Sequence, residues 1–595
     1  MALSWLGSSR SGAAPEPAAG DALLLRWRGP RGLLLSDVLF AVACVVAVGV
    51  LLYMNRYSTF YNDEWSFILD RRAWTVEAFM RPHNEHWALV PAIVYKVLFA
   101  TIGLHSYLPY LLVLMAIHVA ASSAVYVLMR HDNGQVPALA AGTLMLFLGT
   151  GADNLFWAFQ MGFVGAAAAG AWAIVLLVTR SSLRAEIGAA VLLLVAVATQ
   201  GTALFFLAAT AVMLALEPAR WRRLWVVVPA TVAFGIWYLA FGSSAIAAHR
   251  DPFTLAGLQQ VPTYVVAGAS YAIGRLTGWG DQVGLVLLVA LGFATAMHIS
   301  ARRPLRSAAV AGFAGLIAQF ALTGTVRAQL GITQTTSSRY VYVAAILILI
   351  AVSGWIGLRF AELRFRPLAV LAAVLVLALG ANLSVLPEGR DAYRLRADAT
   401  RASIMVIDRY GGSPAVPEEA NLFPVPAKHW LDEIETQLGL PLADALLPDA
   451  PPPHPSIVDA QLYQLVTNAF AATTTQDMPP TVMDAEVATS TDVTVTAAAQ
   501  CVELSVVGPE PQVVLRAPGG SALAVEREQF GEVLVYLALN APPVGASSKA
   551  FPVAPGTVQL ISIPDIGETR PWTVRFDPPA DGVVTRVCVV AEPDA

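Results

Sequence analysis

From Leu33 to Leu386 the chain returns repeatedly to apolar runs of about 17 to 25 residues, the length that crosses a roughly 30 Å hydrocarbon core. Few features constrain a fold more. A backbone surrounded by lipid must satisfy its own polar groups, and unbroken apolar runs of this length do so as helices. The overall balance agrees: of 595 residues, 56% are hydrophobic and only 13% charged, and the mean hydropathy of +0.61 is too high for a soluble protein of this size. A net charge of -5 supplies no basic surface, which argues against nucleic acid as a partner. The expected partner is the lipid bilayer.

Residues 1–32 carry Arg10, Arg26, Arg28 and Arg31 among Ala, Gly, Pro and Ser and read as a disordered cytoplasmic arm. The first apolar run, Leu33 to Met54, is too long for a signal-peptide core and has no small-residue cleavage site close behind it, so it is expected to stay as an anchor. Cys44 within it reads as packing. Spans are expected near 33–54, 107–129, 135–151, 160–179, 185–199, 202–216, 224–242, 282–300, 307–324, 340–358 and 367–386, about eleven crossings. Every second loop is then short and basic, holding Arg130; Arg180 and Arg184; Arg220, Arg222 and Arg223; Arg302, Arg303 and Arg306; and Arg359, Arg364 and Arg366. Positive residues are retained in the cytoplasm, so these loops and the amino terminus share the inner side. An odd count places the tail outside, and the tight turn at Gln200-Gly201 decides the parity.

The first outer loop, 55–106, is the long one. It opens with Tyr61-Asn62-Asp63-Glu64-Trp65 and continues to His83-Asn84-Glu85-His86-Trp87. The stretch Leu89 to Leu104 is apolar but interrupted by Pro91 and Lys96, which suits a helix lying at the interface. The other outer segments are 152–159 with Asp153 and Asn154, 243–281 with His249, Arg250, Asp251 and Arg275, and 325–339 with Arg327 and Arg339.

Beyond Pro387 the composition turns to Pro, Asp, Thr and Val. A connecting segment is expected over 387–455, ending near Pro451-Pro452-Pro453, followed by an extracytoplasmic β-rich domain over 456–595. Alternation of period two in Cys501–Val507, Val513–Arg516, Val533–Leu539 and Trp572–Phe576 predicts a small β-sandwich. Cys501 and Cys588 both fall in strand-like runs where oxidation is permitted and are expected to form a disulfide clasping the first and last strands, the alternative being two buried thiols.

This arrangement of a cytoplasmic amino terminus, a first span, an Asp-Glu pair opening a long first outer loop with interfacial helices, many further spans and an extracytoplasmic domain resembles the C-type (GT-C) integral-membrane glycosyltransferases, which use polyprenyl-phosphate-linked sugars. The likeness covers about residues 33–386. Ser338-Arg339-Tyr340 at the outer mouth of a late span adds to it. The resemblance implies a GT-C-like helical membrane domain, a polyprenyl-phosphate sugar donor, and a cell-envelope glycan or glycolipid acceptor at the outer face of a bacterial plasma membrane. The bias toward Arg and Ala suggests an actinobacterium. Asp63 matches the first acid of the family's Asp-Glu motif.

The chemistry of the residues agrees. Sugar transfer to a hydroxyl needs a base, so Asp63 is the expected general base, and Glu64 orients it, binds a cation or holds the acceptor. The departing phosphate wants a guanidinium and hydroxyl donors, a role that suits Arg339 with Tyr340 and Tyr342; Arg327, Arg275 and Arg250 are second choices. Each also suits a plain interfacial belt. His83, Asn84, Glu85 and His86 are candidate substrate contacts, and Lys96 is a headgroup contact. Asp153 and Asn154 are expected to extend an acidic cavity. A divalent cation, Mg or Mn, is open at Asp63, Asp153, His83 and His86, although the usual metalloenzyme spacings are missing. Trp65, Trp74, Trp87 and Trp157 are sugar-stacking candidates that serve equally as interfacial anchors. Two other classes stay in view: a transporter of lipid-linked sugars, which would carry charge in mid-membrane, and a non-catalytic envelope scaffold. The spans are nearly free of charge, with His118 and His298 as weak exceptions.

Overall fold

A computed structural model describes residues 35–71, 73–217, 220–243, 255–301, 305–356, 365–413, 416, 422, 424–426, 428–438, 442, 451–466, 472–479, 482–483, 486–498, 501–539 and 548–591. The expected arm 1–32, with His249, Arg250, Asp251, Arg302, Arg303, Arg359 and Arg364, lies outside them. Contacts divide the chain into two units. One comprises Met1–Ser58, Asp70–Ile102 and Tyr107–Tyr393; the other comprises Thr59–Leu69, Gly103–Ser106 and Arg394–Ala595.

The first unit is helical. Seven helices among the described residues are long and apolar enough to cross a membrane: Leu35–Met54, Leu108–Asn133, Ala158–Thr179, Leu224–Gly242, Asp281–Ser300, Ser307–Arg327 and Ala372–Tyr410. The other expected spans form Gln135–Leu146, Leu183–Thr199, Ala203–Ala215 and Ser338–Ile356. Ala203–Ala215 has 13 residues, which at 1.5 Å per residue rise only about 20 Å. The preceding turn therefore stops short of a full crossing. Gln200 builds that turn by accepting hydrogen bonds from the backbone and hydroxyl of Thr202 through one side-chain oxygen.

Ion pairs gather the basic loops at one end. Arg130 pairs with Asp37, which also accepts from Tyr126 Oη at 2.8 Å. Arg306 donates to the Asp132 carbonyl at 3.1 Å, and Arg223 joins Glu186 at 3.0 Å and Glu217. Three loops expected on one side are thus in direct contact with neighbours of that side.

Small residues decide how closely two late helices pack. A Cβ on Gly312 would lie 2.3 Å from the Ala351 nitrogen, and one on Gly354 would lie 2.2 Å from the Ala309 nitrogen. Helices Ser307–Arg327 and Ser338–Ile356 therefore touch backbone to backbone, the close approach that small residues permit between membrane helices. Arg327 ends one helix and Arg339 begins the other, so this antiparallel contact brings the two arginines to the same end, away from Arg306.

Two expectations need correction. The segment 243–281 is not simply an outer loop, since Leu255–Thr277 is a 23-residue helix packed on Asp281–Ser300. Its Gln259, Gln260, Ser270 and Arg275 lower the hydropathy, while Tyr264, Ala272 and Leu276 are buried at helical spacing. The chain also does not leave helix at Pro387. Phe365–Tyr410 is one 46-residue helix with Pro387 inside it, and the division between the units falls within it. Beyond Pro387, Tyr393, Ala397, Arg401, Ile404 and Ile407 are buried at intervals of three or four, a helical face the charged residues between them concealed.

The second unit holds twelve strands among the described residues, in two antiparallel sheets. Numbered along the chain they are β1 (Ala472–Thr475), β2 (Val482–Met483), β3 (Glu486–Thr491), β4 (Val493–Ala498), β5 (Cys501–Val506), β6 (Gln512–Ala517), β7 (Ser521–Arg527), β8 (Gly531–Ala538), β9 (Lys549–Val553), β10 (Val558–Ile563), β11 (Trp572–Asp577) and β12 (Thr585–Ala591). One sheet runs β1-β10-β7-β12-β5-β4 with β2 also on β12, and the other runs β3-β6-β11-β8-β9. Alternate residues such as Val513, Leu515, Val533, Val535, Val574 and Phe576 are fully buried, the period-two signature of a one-faced core. The expected disulfide is present, joining the cross-strand pair Cys501 and Cys588. It staples the fifth strand to the last, because four strands not foreseen precede Cys501. Glu568 accepts from Tyr410 Oη at 2.9 Å and pairs with Arg409, tying the helix end to the sheets.

Candidate functional site

The acidic pair lies in the second unit, at the start of the short helix Asp63–Leu69. Asn62 turns the chain into it with φ of 50°, a left-handed conformation that asparagine tolerates better than most residues. The Asn62 N–H donates to the Pro424 carbonyl at 3.2 Å. Glu64 is fully buried and accepts the Tyr61 N–H on Oε2 at 2.9 Å, while its own N–H returns to the Tyr61 carbonyl at 3.3 Å. This is the reach-back half of a capping box. The same helix buries Trp65, Phe67, Ile68 and Leu69 and leaves Asp63 half-buried. Neighbouring carboxyls therefore differ: Glu64 is built into the turn and fully buried, and Asp63 is half-buried beside it.

A second cluster lies in the first unit. His83 and His86 are not on a helix. Each donates its N–H to the other's carbonyl at 3.0 Å across a tight turn in which Asn84 has φ of 51°. The His83 ring meets Phe159 edge-on at 5.1 Å and the His86 ring meets Phe163 at 6.4 Å. His86 Nδ1 rests where a side chain on Gly201 would be, 2.6 Å from its Cβ position. Glu85 pairs with Arg327 at 3.3 Å. Burial pushes the His86 imidazole down to about 4; Glu85 opposes this, and the charges of His83, Arg327 and Arg339 add to it. The ring is neutral near pH 7.

Arg339 completes this cluster. Its Nε donates to Ser337 Oγ at 3.2 Å, and its guanidinium lies 5.9 Å from the Phe163 ring and 5.8 Å from the Tyr340 ring. Its terminal nitrogens have no hydrogen-bond partner among the described residues. Asp153 and Asn154 are docked on the same helix start: the Asp153 N–H donates to Ser338 Oγ at 3.1 Å and Asn154 Nδ2 to the Arg339 carbonyl at 3.3 Å. Asp153 Oδ1 accepts from Tyr393 Oη at 2.7 Å. Gln319, which sequence reasoning passed over inside a span, donates from Nε2 to the Tyr340 carbonyl at 2.8 Å. Asn154 Oδ1, Gln160 Oε1 and Gln319 Oε1 are buried without a hydrogen-bond partner among the described residues. A lone glutamine in an apolar run was the signal for Gln319.

Other candidates are placed elsewhere. The Tyr342 hydroxyl is fully buried and meets His118 Nδ1 at 2.7 Å, while His118 Nε2 meets the Leu146 carbonyl at 3.1 Å. That pair explains an intramembrane histidine without transport. Lys96 turns inward, donating to the Ala73 carbonyl at 2.7 Å beneath the Trp74 and Phe79 rings, so its charge fastens the loop rather than facing a headgroup. Arg71, also unforeseen, donates to the Ala78 and Arg81 carbonyls at 2.9 and 2.7 Å and closes the helix Val76–Met80. Trp65, Trp87 and Trp157 are buried and Trp74 is exposed. Arg275 lies at the far end of its helix, 3.8 Å from Asp281. Among the described residues no three His, Cys, Asp or Glu side chains are grouped to hold a metal ion.

No protein-family model matches the chain, and no curated protein matches it. Among solved structures it is similar to ArnT from Cupriavidus metallidurans in the apo state, with 15% identity over 68% of this chain and 84% of that one and a TM-score of 0.42. It is similar to the Archaeoglobus fulgidus oligosaccharyltransferase in complex with Zn and sulfate, at 14% identity over 71% and 61% and a TM-score of 0.35. The arabinosyltransferase EmbB from Mycobacterium smegmatis matches at 12% identity over 92% and 64%, with a TM-score of 0.33. Likenesses this distant assign no activity.

Proposed function

We propose that this chain is a membrane glycosyltransferase that moves a sugar from a polyprenyl-phosphate donor to a hydroxyl of a cell-envelope glycan or glycolipid on the outer side of the plasma membrane. The observation that carries this reading is the split between a buried, hydrogen-bonded Glu64 and a half-buried Asp63. Asp63 is the general base and Glu64 the residue that fixes its turn. In the reaction the acceptor oxygen forms a bond to the anomeric carbon, the carbon–oxygen bond to phosphate breaks, and the acceptor proton passes to Asp63. Backside attack inverts the anomeric centre. The leaving phosphate keeps the electron pair, and within the first unit Arg339 is the guanidinium proposed to answer its growing charge. The unsatisfied oxygens of Asn154, Gln160 and Gln319 suit hydroxyl-rich ligands, which supply donors for buried acceptors.

Membranes carrying wild type, Asp63→Asn and Arg339→Ala are incubated with a panel of radiolabelled polyprenyl-phosphate sugars. Transfer by the wild type, lost in Asp63→Asn at equal membrane abundance, is the expected result. A positioned carboxylate is worth about 10² to 10⁴ in rate, so undiminished transfer in Asp63→Asn removes the proposal.

A further inference from the structure

Residues 59–69, which carry the acidic pair, group by contact with the tail from Arg394 onward. Four residues, 55–58, separate this segment from the first spanning helix. A seven-residue helix does not hold itself together, since nucleation is costly and isolated helices need about 12 to 15 residues even in favourable sequences. Its conformation is imposed from outside. Two contacts do so from the tail. The Pro424 carbonyl takes the N–H of Asn62, the left-handed residue immediately before Asp63. The Arg396 guanidinium lies 5.5 Å from the centre of the Tyr61 ring, and Tyr61 is the residue whose N–H and carbonyl both engage Glu64.

From these contacts we infer that the tail is a positioning element for Asp63, acting through Pro424 and Arg396, and not only an appended module. The inference rests on the assignment of Asp63 as the base. Arg396 and Pro424 act through the Tyr61 ring and the Asn62 N–H, the two positions that lead into Asp63. Arg396 sits on the charged stretch that continues the last spanning helix beyond Pro387, so a sequence reading that ends the membrane domain at Leu386 gives it no role.

The test uses the full-length chain in nanodiscs, as wild type, Arg396→Ala, Arg396→Lys, Arg396→Ala with Pro424→Gly, and Asp63→Asn. Two readouts are taken: hydrogen exchange of peptides covering 59–69, and kcat and donor KM with a radiolabelled polyprenyl-phosphate sugar. Arg396→Ala is expected to raise exchange over 59–69 by about two- to fivefold, the worth of an exposed cation–π contact. The double variant raises it further. Exchange of β6, β8 and β11 stays at the wild-type rate and shows that the sheets are intact. In the same variants kcat falls while donor KM holds, and Arg396→Lys restores both kcat and protection. Unchanged exchange over 59–69 in the double variant overturns the inference even if Asp63→Asn is inactive. Normal turnover in Asp63→Asn instead removes the base assignment, and the exchange result then reports only a structural contact.

Discussion

Cutting the Cys501–Cys588 bond tests how the second unit is stabilised. The two cysteines are 87 residues apart, and the loop they close contains β6 through β11 and part of β12. In the chain-entropy account, closing a loop of that length removes about 4.6 kcal/mol of conformational freedom from the unfolded chain. Local packing adds little, because the sulfurs sit among Ala522, Ala524, Val558, Leu560 and Val590, where two alanines leave only a small void. A domain of this size shifts its Tm by about 2 to 4 °C per kcal/mol, so Cys501→Ala with Cys588→Ala lowers the unit's melting point by about 9 to 18 °C. Proteolysis of the full-length protein along a temperature series, with tail fragments followed by mass, measures it. Dithiothreitol reproduces the shift in wild type and does nothing to the double variant. A fall under about 3 °C refutes the reasoning and means that the unfolded tail is already confined without the bond.

Arg339→Ala is expected to cost about 10² to 10³ in turnover, the usual worth of one fixed donor at a developing oxyanion, and Arg339→Lys recovers part of it because an ammonium lacks the planar fork; equal rates in all three forms exclude a phosphate role. Acidification weakens the fold through His86: between the ordinary histidine value of about 6.5 and its lowered value of about 4, the unfolded chain binds a proton that the folded chain refuses, so stability is full above pH 6.5 and falls as pH drops through that window. Melting curves from pH 7.5 to 5 should be flatter for His86→Gln than for wild type. Gly201→Ala drives a methyl group into His86 Nδ1, with an overpacking cost of about 1 to 3 kcal/mol that appears as a lower Tm and faster exchange over 81–87. Glu568 acts in the same sense as His86, at lower pH. Hydrogen bonds from Tyr410 and Arg409 hold its carboxyl below the usual range, so its contribution is present above the ordinary glutamate value and is lost as pH falls through the lowered one, and Glu568→Gln should remove that acid sensitivity in the melt.

Hydropathy is summed residue by residue along a chain, and whatever depends on such a sum was legible in the sequence alone. The long apolar runs, the alternation of Arg130, Arg223 and Arg306 onto one end, the turn at Gln200-Gly201 and the alternating strands of β6, β8 and β11 all belong to that class; the bond between Cys501 and Cys588 is a separate case, read from two cysteines in strand-like runs where oxidation is permitted. Leu255–Thr277 and the helix through Pro387 escaped because their polar residues dilute a windowed average while their buried faces keep a helical period. Contacts between distant residues are not additive along the chain, and tertiary structure alone decided them. Two adjacent acids look alike in sequence, yet only Glu64 meets the Tyr61 backbone and is buried. Tyr340 and Tyr342 are two apart on one helix, so they diverge, one toward Arg339 and the other onto His118. Gly312 and Gly354 let two antiparallel helices touch backbone to backbone, a consequence of missing side chains that no single residue announces.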